Sequence, residues 1–84
     1  METMERDAKY IANQCKYIRK MFALTQENLA DAAGLTVRTI QKVESGRHVP
    51  EVQTLRSISR GLGFDVTVFS KPTPEQEKRQ QEEM

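Results

Sequence analysis

The sequence predicts an all-α fold, a compact domain of four to five short helices, followed by one short β-strand. Three observations support this prediction. Apolar residues recur every three or four positions through much of residues 11–62, which is the period of an amphipathic helix. Threonine and glycine residues stand where such helices would begin and end. In residues 64–69 the pattern changes to the apolar–polar alternation of a strand.

Composition limits the class of protein. An 84-residue chain has room for one small domain, which dimerisation would help to stabilise. The 37% of hydrophobic residues and 30% of charged residues are ordinary for a soluble globular protein. The sequence has neither an apolar run of the roughly 20 residues that span a membrane nor a signal peptide. A single cysteine excludes an intrachain disulfide, and we expect a cytoplasmic protein without membrane contact.

The first helix is predicted over residues 4–22. Ile11, Cys15, Ile18 and Phe22 recur at spacings of 4, 3 and 4 and form one apolar stripe. We interpret Cys15 as a small buried core residue rather than a redox sensor.

Two short helices follow, at about residues 26–33 and 37–45. The hydroxyl of Thr25 is expected to cap the first of them, and that of Thr36 the second. Gly34 suits the left-handed conformation that ends a helix. Only a tight corner fits between the two helices, so this segment is predicted to be a helix-turn-helix, which places its second helix in the major groove of DNA.

The last predicted elements are a helix over about residues 51–62, stopped by Gly61 and Gly63, and a strand over residues 64–69. A lone strand cannot satisfy its backbone groups, so we expect it to pair with its copy in a second subunit. The dimerisation residues would be Phe64, Val66 and Val68. Across the whole chain, the predicted core consists of Ile11, Cys15, Ile18, Phe22, Leu29, Ile40, Val43, Leu55, Ile58 and Leu62.

The motif residues resemble those of a known family. The resemblance covers about residues 18–63 and is carried above all by Gln26, Ala30, Gly34, Ile40, Glu44 and Gly46. Their types and spacing resemble the XRE family, the Cro and lambda-repressor-like class of helix-turn-helix proteins. Membership implies a compact bundle of four or five helices in a transcriptional regulator that is mostly dimeric. The strand stands where many members have a fifth helix, and there the chain resembles HipB-type antitoxins.

The second helix of the motif supplies the candidates for reading bases. Ile40 and Val43 must point inward, so the opposite face points outward. The candidates are Thr36, Val37, Arg38, Thr39, Gln41 and Lys42. Arg38 is the best of them, because a guanidinium can bond guanine O6 and N7 bidentately and discriminate by about 1–3 kcal/mol. The rival interpretation of this set is a solvated helix face.

Other residues are candidates for contacting phosphates, which position a protein without reading sequence. They are Thr25, Gln26, Arg47, His48 and Thr54. For Gln26 the resemblance implies a contact with a phosphate or a base, and it also implies that the Gln26 amide supports the recognition helix. Residues 36–60 carry five basic and two acidic residues, so the basic excess lies where the motif lies.

The resemblance also implies an ion pair between Arg19 and Glu44 that orients the recognition helix. No cluster of partners surrounds His48 in the sequence, so we predict no metal site and no cofactor. The chain also lacks a Ser-His-Asp set and a phosphate-binding glycine loop, so we predict no enzymatic activity.

These observations predict a helix-turn-helix DNA-binding domain over residues 1–63, a dimerising strand over residues 64–70 and a flexible charged tail over residues 71–84. The leading hypothesis is a dimeric transcriptional regulator, most often a repressor, that binds a roughly palindromic double-stranded site. One alternative is an antitoxin that neutralises a toxin protein and autoregulates its operon. Another is the DNA-binding module of a longer regulator.

Overall fold

In the computed structural model, residues 6–72 are described, and they confirm the all-α prediction. Four α-helices and one 3-10 helix follow in the order α1 (Ala8–Met21), α2 (Gln26–Ala33), α3 (Val37–Glu44), α4 (Val52–Leu62) and a 3-10 helix (Val66–Phe69). The first helix begins at Ala8, with Asp7 as its cap, and not at residue 4 as predicted. Most of the predicted tail lies outside the described residues. No helix within residues 6–72 is long and apolar enough to cross a membrane.

Local side-chain caps set the ends of α1, α2 and α3. The Asp7 carboxylate accepts from the Tyr10 amide at 2.9 Å, and this bond holds the pKa of Asp7 below its usual value. Thr25 and Asn28 form a reciprocal capping box at the start of α2. Thr36 Oγ1 accepts from the Thr39 amide at 3.2 Å. Gly34 ends α2 in the left-handed conformation, with φ of 69°. The helix-turn-helix is therefore present where the sequence predicts it.

The core lies where the four helices meet. Its buried apolar residues are Ile11, Ala12, Cys15, Ile18, Leu29, Ala30, Ile40, Val43, Leu55, Ile58, Leu62 and Phe69. The prediction for Phe22 is wrong, because its side chain remains 49% exposed. Helix α1 ends at Met21, so the apolar stripe runs past the end of the helix. The Phe22 ring instead packs on the ring of Phe64, with 6.0 Å between their centroids.

Helix α4 differs from the prediction at its end. Gly61 lies inside the helix and does not stop it, whereas Gly63 ends it with φ of 81°. At its start, Glu51 occupies the cap position but makes no side-chain capping bond.

The predicted strand over residues 64–69 is wrong, and residues 6–72 contain no β-strand. The segment turns into a 3-10 helix, which Asp65 caps by accepting from the Thr67 amide at 3.0 Å. Residues three apart share one side of a 3-10 helix, so Val66 and Phe69 both face the core. Phe69 is fully buried, and Val66 packs against the core cluster.

Residues 64–69 do not form a strand because their backbone and side chains find partners within the same chain. Gln14 Nε2 of α1 donates to the Val68 carbonyl at 3.1 Å, and Val68 packs partly against the core. Backbone groups of the segment are thus satisfied without a second subunit. Of the three residues predicted to dimerise through a strand, Phe64 alone is exposed, and Val66 and Val68 are half-buried. The resemblance to HipB-type antitoxins depended on this strand and is not confirmed.

Candidate nucleic-acid interface

Helix α3 buries one face and exposes the other. Ile40 is fully buried and Val43 is 4% exposed, because they lie three residues apart on the inward face. Arg38, Gln41 and Lys42 are exposed on the opposite face. The structure thus presents the three longest candidates for base contact to the outside together.

The shorter candidates on α3 are less available. Val37 is half-buried and packs against the core cluster, because it lies one turn before Ile40 on the inward side. Thr39 is also half-buried, and its hydroxyl lies 3.0 Å from that of Thr36. Thr36 is exposed, but its hydroxyl already caps the helix. The outward orientation expected of Val37 is therefore only partly present.

A groove of about 470 Å³ lies beside the C-terminal half of α3. It is lined by Thr39, Lys42, Val43, His48, Val49, Pro50, Glu51 and Thr54. The groove brings together four residues that the sequence proposes as DNA contacts, two from α3, one from the following loop and one from α4. Sequence reasoning missed Val49, Pro50 and Glu51 as lining residues, although their position directly after the recognition helix was the available signal.

The remaining phosphate candidates lie outside the lining of this groove. Arg47 is exposed in the loop that follows α3. Thr25 is exposed at the start of α2, where its Oγ1 accepts from the Asn28 amide at 3.0 Å. Gln26 is half-buried on the first turn of α2, and its amide is directed toward Glu44.

Glu44, on the last turn of α3, is the centre of a buried polar network. Arg19 Nε donates to Glu44 Oε2 at 2.8 Å, and Arg19 Nη2 donates to Oε1 at 3.0 Å. Gln26 Nε2 donates to Oε1 at 3.1 Å, and Cys15 Sγ donates to Oε2 at 3.4 Å. Arg19 Nη1 also donates to the Leu24 carbonyl at 2.8 Å, which ties the α1–α2 turn to the same network. The network therefore joins α3 to α1 and α2.

The network keeps Glu44 ionised. Burial favours the protonated carboxyl, but the hydrogen bonds from Arg19, Gln26 and Cys15 outweigh burial and hold the pKa of Glu44 below its usual value. Hydrogen bonding to Glu44 likewise raises the pKa of Arg19. The hydrogen bond from Cys15 to Glu44 was not predicted from the sequence. The available signal was the position of Cys15 one helical turn before Arg19, on the same face of α1.

Pairing with Arg19 changes the charge that α3 presents. Glu44 would repel phosphates if its charge were free, but its side chain is 4% exposed and ion-paired. Arg38, Lys42 and Arg47 are exposed, and residues 6–72 supply none of them with an ion-pair partner. The outer face of α3 and the loop after it are therefore locally positive, although the whole chain carries a formal net charge of only +1.

No group of three or more metal-ligating side chains comes together in the described part of the chain. His48 is exposed at the groove, where its lining neighbours with oxygen atoms in their side chains are Thr39, Glu51 and Thr54.

Comparison with known proteins identifies the family. Residues 16–69 match the helix-turn-helix family HTH_3. An uncharacterized HTH-type transcriptional regulator of Methanothermobacter thermautotrophicus is 44% identical over 45 residues, which cover 54% of this chain and 65% of the relative. Another, of Methanocaldococcus jannaschii, is 33% identical over 54 residues, which cover 64% of this chain and 82% of the relative. The chain spans 47% of a longer relative of the same description in Sinorhizobium medicae.

Two solved structures are similar to this one. An HTH_3 family transcriptional regulator from Vibrio cholerae has a TM-score of 0.71 and 30% sequence identity, covering 75% of this chain and 35% of that protein. A hypothetical transcription factor, NHTF, from Neisseria has a TM-score of 0.74 and 20% identity, covering 94% of this chain and 91% of its own, and it shows the fold alone. The resemblance to the XRE class is thus confirmed, and the chain belongs to the HTH_3 helix-turn-helix family of DNA-binding transcriptional regulators, which are not enzymes.

Proposed function

We propose that this regulator binds double-stranded DNA sequence-specifically by placing α3 in the major groove. The observation that carries the proposal is the division of α3 into a buried face and an exposed face that presents Arg38, Gln41 and Lys42. An α-helix fits the major groove, where the edges of all four base pairs differ in their donors and acceptors. A helix fixed at its end by a buried network can hold these side chains in one register.

Each exposed side chain on α3 suits a particular base edge. Arg38 can donate two hydrogen bonds to guanine O6 and N7, and Gln41 can pair with adenine in a similar bidentate manner. Lys42 lies between the exposed face and the groove, where it can reach a base or a phosphate. Thr36, Val37 and Thr39 complete the proposed reading surface, with Val37 restricted by its partial burial.

Phosphate contacts would position the domain on the duplex. The proposed residues on the loop and on α4 are Arg47, His48 and Thr54, two of which line the groove beside α3. On the other side, Thr25 and Gln26 stand at the start of α2, where free backbone amides and the helix dipole favour an anion. Phosphate sites on both sides of α3 would hold the helix in the groove from two directions.

We also propose that two copies bind a roughly palindromic site and repress by occupying promoter DNA. A two-fold dimer presents two copies of α3 to inverted half-sites about one helical turn apart. Residues 6–72 contain no strand that could pair across this dimer, so the exposed rings of Phe64 and Phe22 are the proposed contact. The proposed DNA-binding surface is the same if this chain is the DNA-binding module of a longer regulator, because a second protein domain would leave that surface unchanged.

The alternative antitoxin function loses one of the two features that motivated it. It depended on a dimerising strand, which residues 6–72 do not contain, and on the charged tail, most of which lies outside the described residues. No feature of the described part of the chain favours a toxin-binding role over DNA binding.

Selection of bound sites from random duplex DNA tests the proposal. We expect enrichment of a sequence with two inverted half-sites, which Arg38→Ala changes at one base position of each half-site. Arg60→Ala is the matched control, because Arg60 is also an exposed arginine but lies at the end of α4 that is far from the groove. If the wild-type protein enriched no sequence over the starting pool, sequence-specific binding would be contradicted.

A further inference from the structure

The Glu44 carboxylate has all of its acceptor capacity filled by four hydrogen bonds. A carboxylate offers two oxygens with about four lone-pair sites. Oε1 accepts from Arg19 and Gln26, and Oε2 accepts from Arg19 and Cys15. Because each oxygen has two different donors, a rotation of the carboxylate out of this position breaks bonds on both oxygens.

We propose that Cys15 is a positioning residue for DNA binding, whose thiol hydrogen bond fixes the Glu44 carboxylate and with it the recognition helix. Cys15 is fully buried on α1, and its Sγ lies 3.4 Å from Glu44 Oε2. The other donors to Glu44 are polar residues, whereas Cys15 lies in the middle of the apolar stripe of α1. The Cys15 side chain therefore both packs in the core and donates a hydrogen bond to Glu44.

The thiol is in the protonated state that donation requires. Burial and the neighbouring Glu44 charge raise the pKa of Cys15 to about 12, so the sulfur keeps its hydrogen at neutral pH. Glu44 remains a carboxylate, because Arg19 is the charged group that faces it from α1 and Gln26 donates from α2. The hydrogen bond can then run in one direction only, from sulfur to oxygen.

The effect reaches the base-reading residues through the helix itself. Glu44 and Arg38 lie on one α-helix of eight residues, six positions apart, and an α-helix rises about 1.5 Å per residue. A helix this short moves as one body. If the Glu44 carboxylate at the C-terminal end of α3 is held less tightly, the exposed face of α3 can therefore tilt relative to α1 and α2.

The test compares Cys15→Ala with Cys15→Ser. Both variants remove the sulfur, but serine puts a hydroxyl donor in its place whereas alanine leaves no donor, so the Glu44 readouts below compare the site with and without a donor. The Glu44 carboxyl pKa, followed by carbon NMR, is expected to be higher in Cys15→Ala than in Cys15→Ser, because alanine removes a hydrogen bond to the charged form. Affinity for the selected DNA site is expected to be about fivefold lower in Cys15→Ala.

The two readouts separate this proposal from the DNA-binding proposal on which its second readout rests. Equal Glu44 pKa values in the two variants would overturn the proposal whatever DNA binding does. Unequal pKa values with equal DNA affinities would show a hydrogen bond without a positioning role, and would overturn it as well. Failure of the wild-type protein to bind DNA would instead contradict the proposed function and leave the pKa readout intact.

A measurement on the wild-type protein covers the case in which a variant does not fold. Cys15 is the single cysteine of the chain, so its S–H stretching band in the Raman spectrum is unambiguous. We expect this band at the lowered frequency of a strong donor, and at a higher frequency in Glu44→Gln, whose amide is a weaker acceptor. A band at the frequency of a free thiol in the wild-type protein would overturn the proposal.

Discussion

Gly61 of α4 approaches Ala33 of α2 so closely that a Cβ atom at Gly61 would lie 3.0 Å from the Ala33 nitrogen. The carbonyl carbon of Ala32 would be only 3.1 Å away. These atoms belong to the backbone of α2 and cannot move aside as a flexible side chain can. The absence of a side chain at Gly61 is therefore what lets α4 pack against the first helix of the motif.

Gly61→Ala is expected to lower the free energy of unfolding by about 1–3 kcal/mol, because the added methyl group forces the two helices apart. The sign of this stability change is informative, since a glycine-to-alanine change inside an unobstructed helix raises the free energy of unfolding by up to about 1 kcal/mol. Urea denaturation followed by circular dichroism measures the difference. An increase in stability would show that the α2–α4 contact is looser than described.

Glu44→Gln is expected to destabilise the protein at neutral pH by about 2 kcal/mol, because it breaks a buried ion pair and leaves Arg19 uncompensated. The pKa of Glu44 is lower in the folded protein than its ordinary value of 4.5. Folding therefore favours the carboxylate, so the stabilisation is present above pH 4.5 and is lost as the pH falls through the folded-state pKa.

The measurement is a series of urea denaturation curves between pH 7 and pH 3. The stability difference between the wild-type protein and Glu44→Gln should be largest at pH 7 and should shrink below pH 4.5. Glu51→Gln is the matched control, since Glu51 is exposed at the start of α4 and makes no side-chain capping bond there. A difference that stays constant over this pH range would contradict the assignment of the ion pair as the cause.

Phe69→Ala is expected to lower the free energy of unfolding by about 3–5 kcal/mol, because Phe69 is fully buried in the core. Phe64→Ala removes the same ring from a site that is 39% exposed and should change it by about 1 kcal/mol or less. Urea denaturation at one protein concentration compares the two variants. If Phe64→Ala were the more damaging change, residues 64–69 would not pack as the 3-10 helix requires.

Arg38→Ala and Arg47→Ala are expected to weaken DNA binding in different ways. Loss of a bidentate base contact at Arg38 should reduce affinity for the selected site by about 1–3 kcal/mol and relax the preference at one base position. Loss of a phosphate contact at Arg47 should weaken all sequences alike and reduce the slope of log K against log salt by about 1. Fluorescence anisotropy titrations at several salt concentrations distinguish the two. A salt slope unchanged by Arg47→Ala would remove Arg47 from the phosphate contacts.

The helix-turn-helix was predictable because its signals are local. Thr25, Gly34 and Thr36 act on backbone groups within a few residues of themselves, so their effects can be inferred without knowing the tertiary structure. The burial of Ile40 and Val43 follows from their spacing along one helix. These are also the features that expose the opposite face of α3.

The segment after α4 was not predictable in the same way. Alternating β-branched and aromatic residues favour a strand when a neighbouring strand is present, but the described part of the chain provides none. Core packing decides instead, and it selects the three-residue spacing of Val66 and Phe69 over the two-residue alternation. The exposure of Phe22 has a similar origin, since the apolar stripe continues past the point where α1 ends.

Phe69 is the last core residue within residues 6–72, and this position has a consequence for synthesis on the ribosome. Helices α2 and α3 are synthesised before Phe69, which must join them before the core closes. At about 5–20 residues per second, the residues between the end of α3 and Phe69 take roughly one to five seconds to synthesise, and the interior stays open for at least that time. During that interval the apolar faces of these helices are accessible to chaperones and to neighbouring nascent chains.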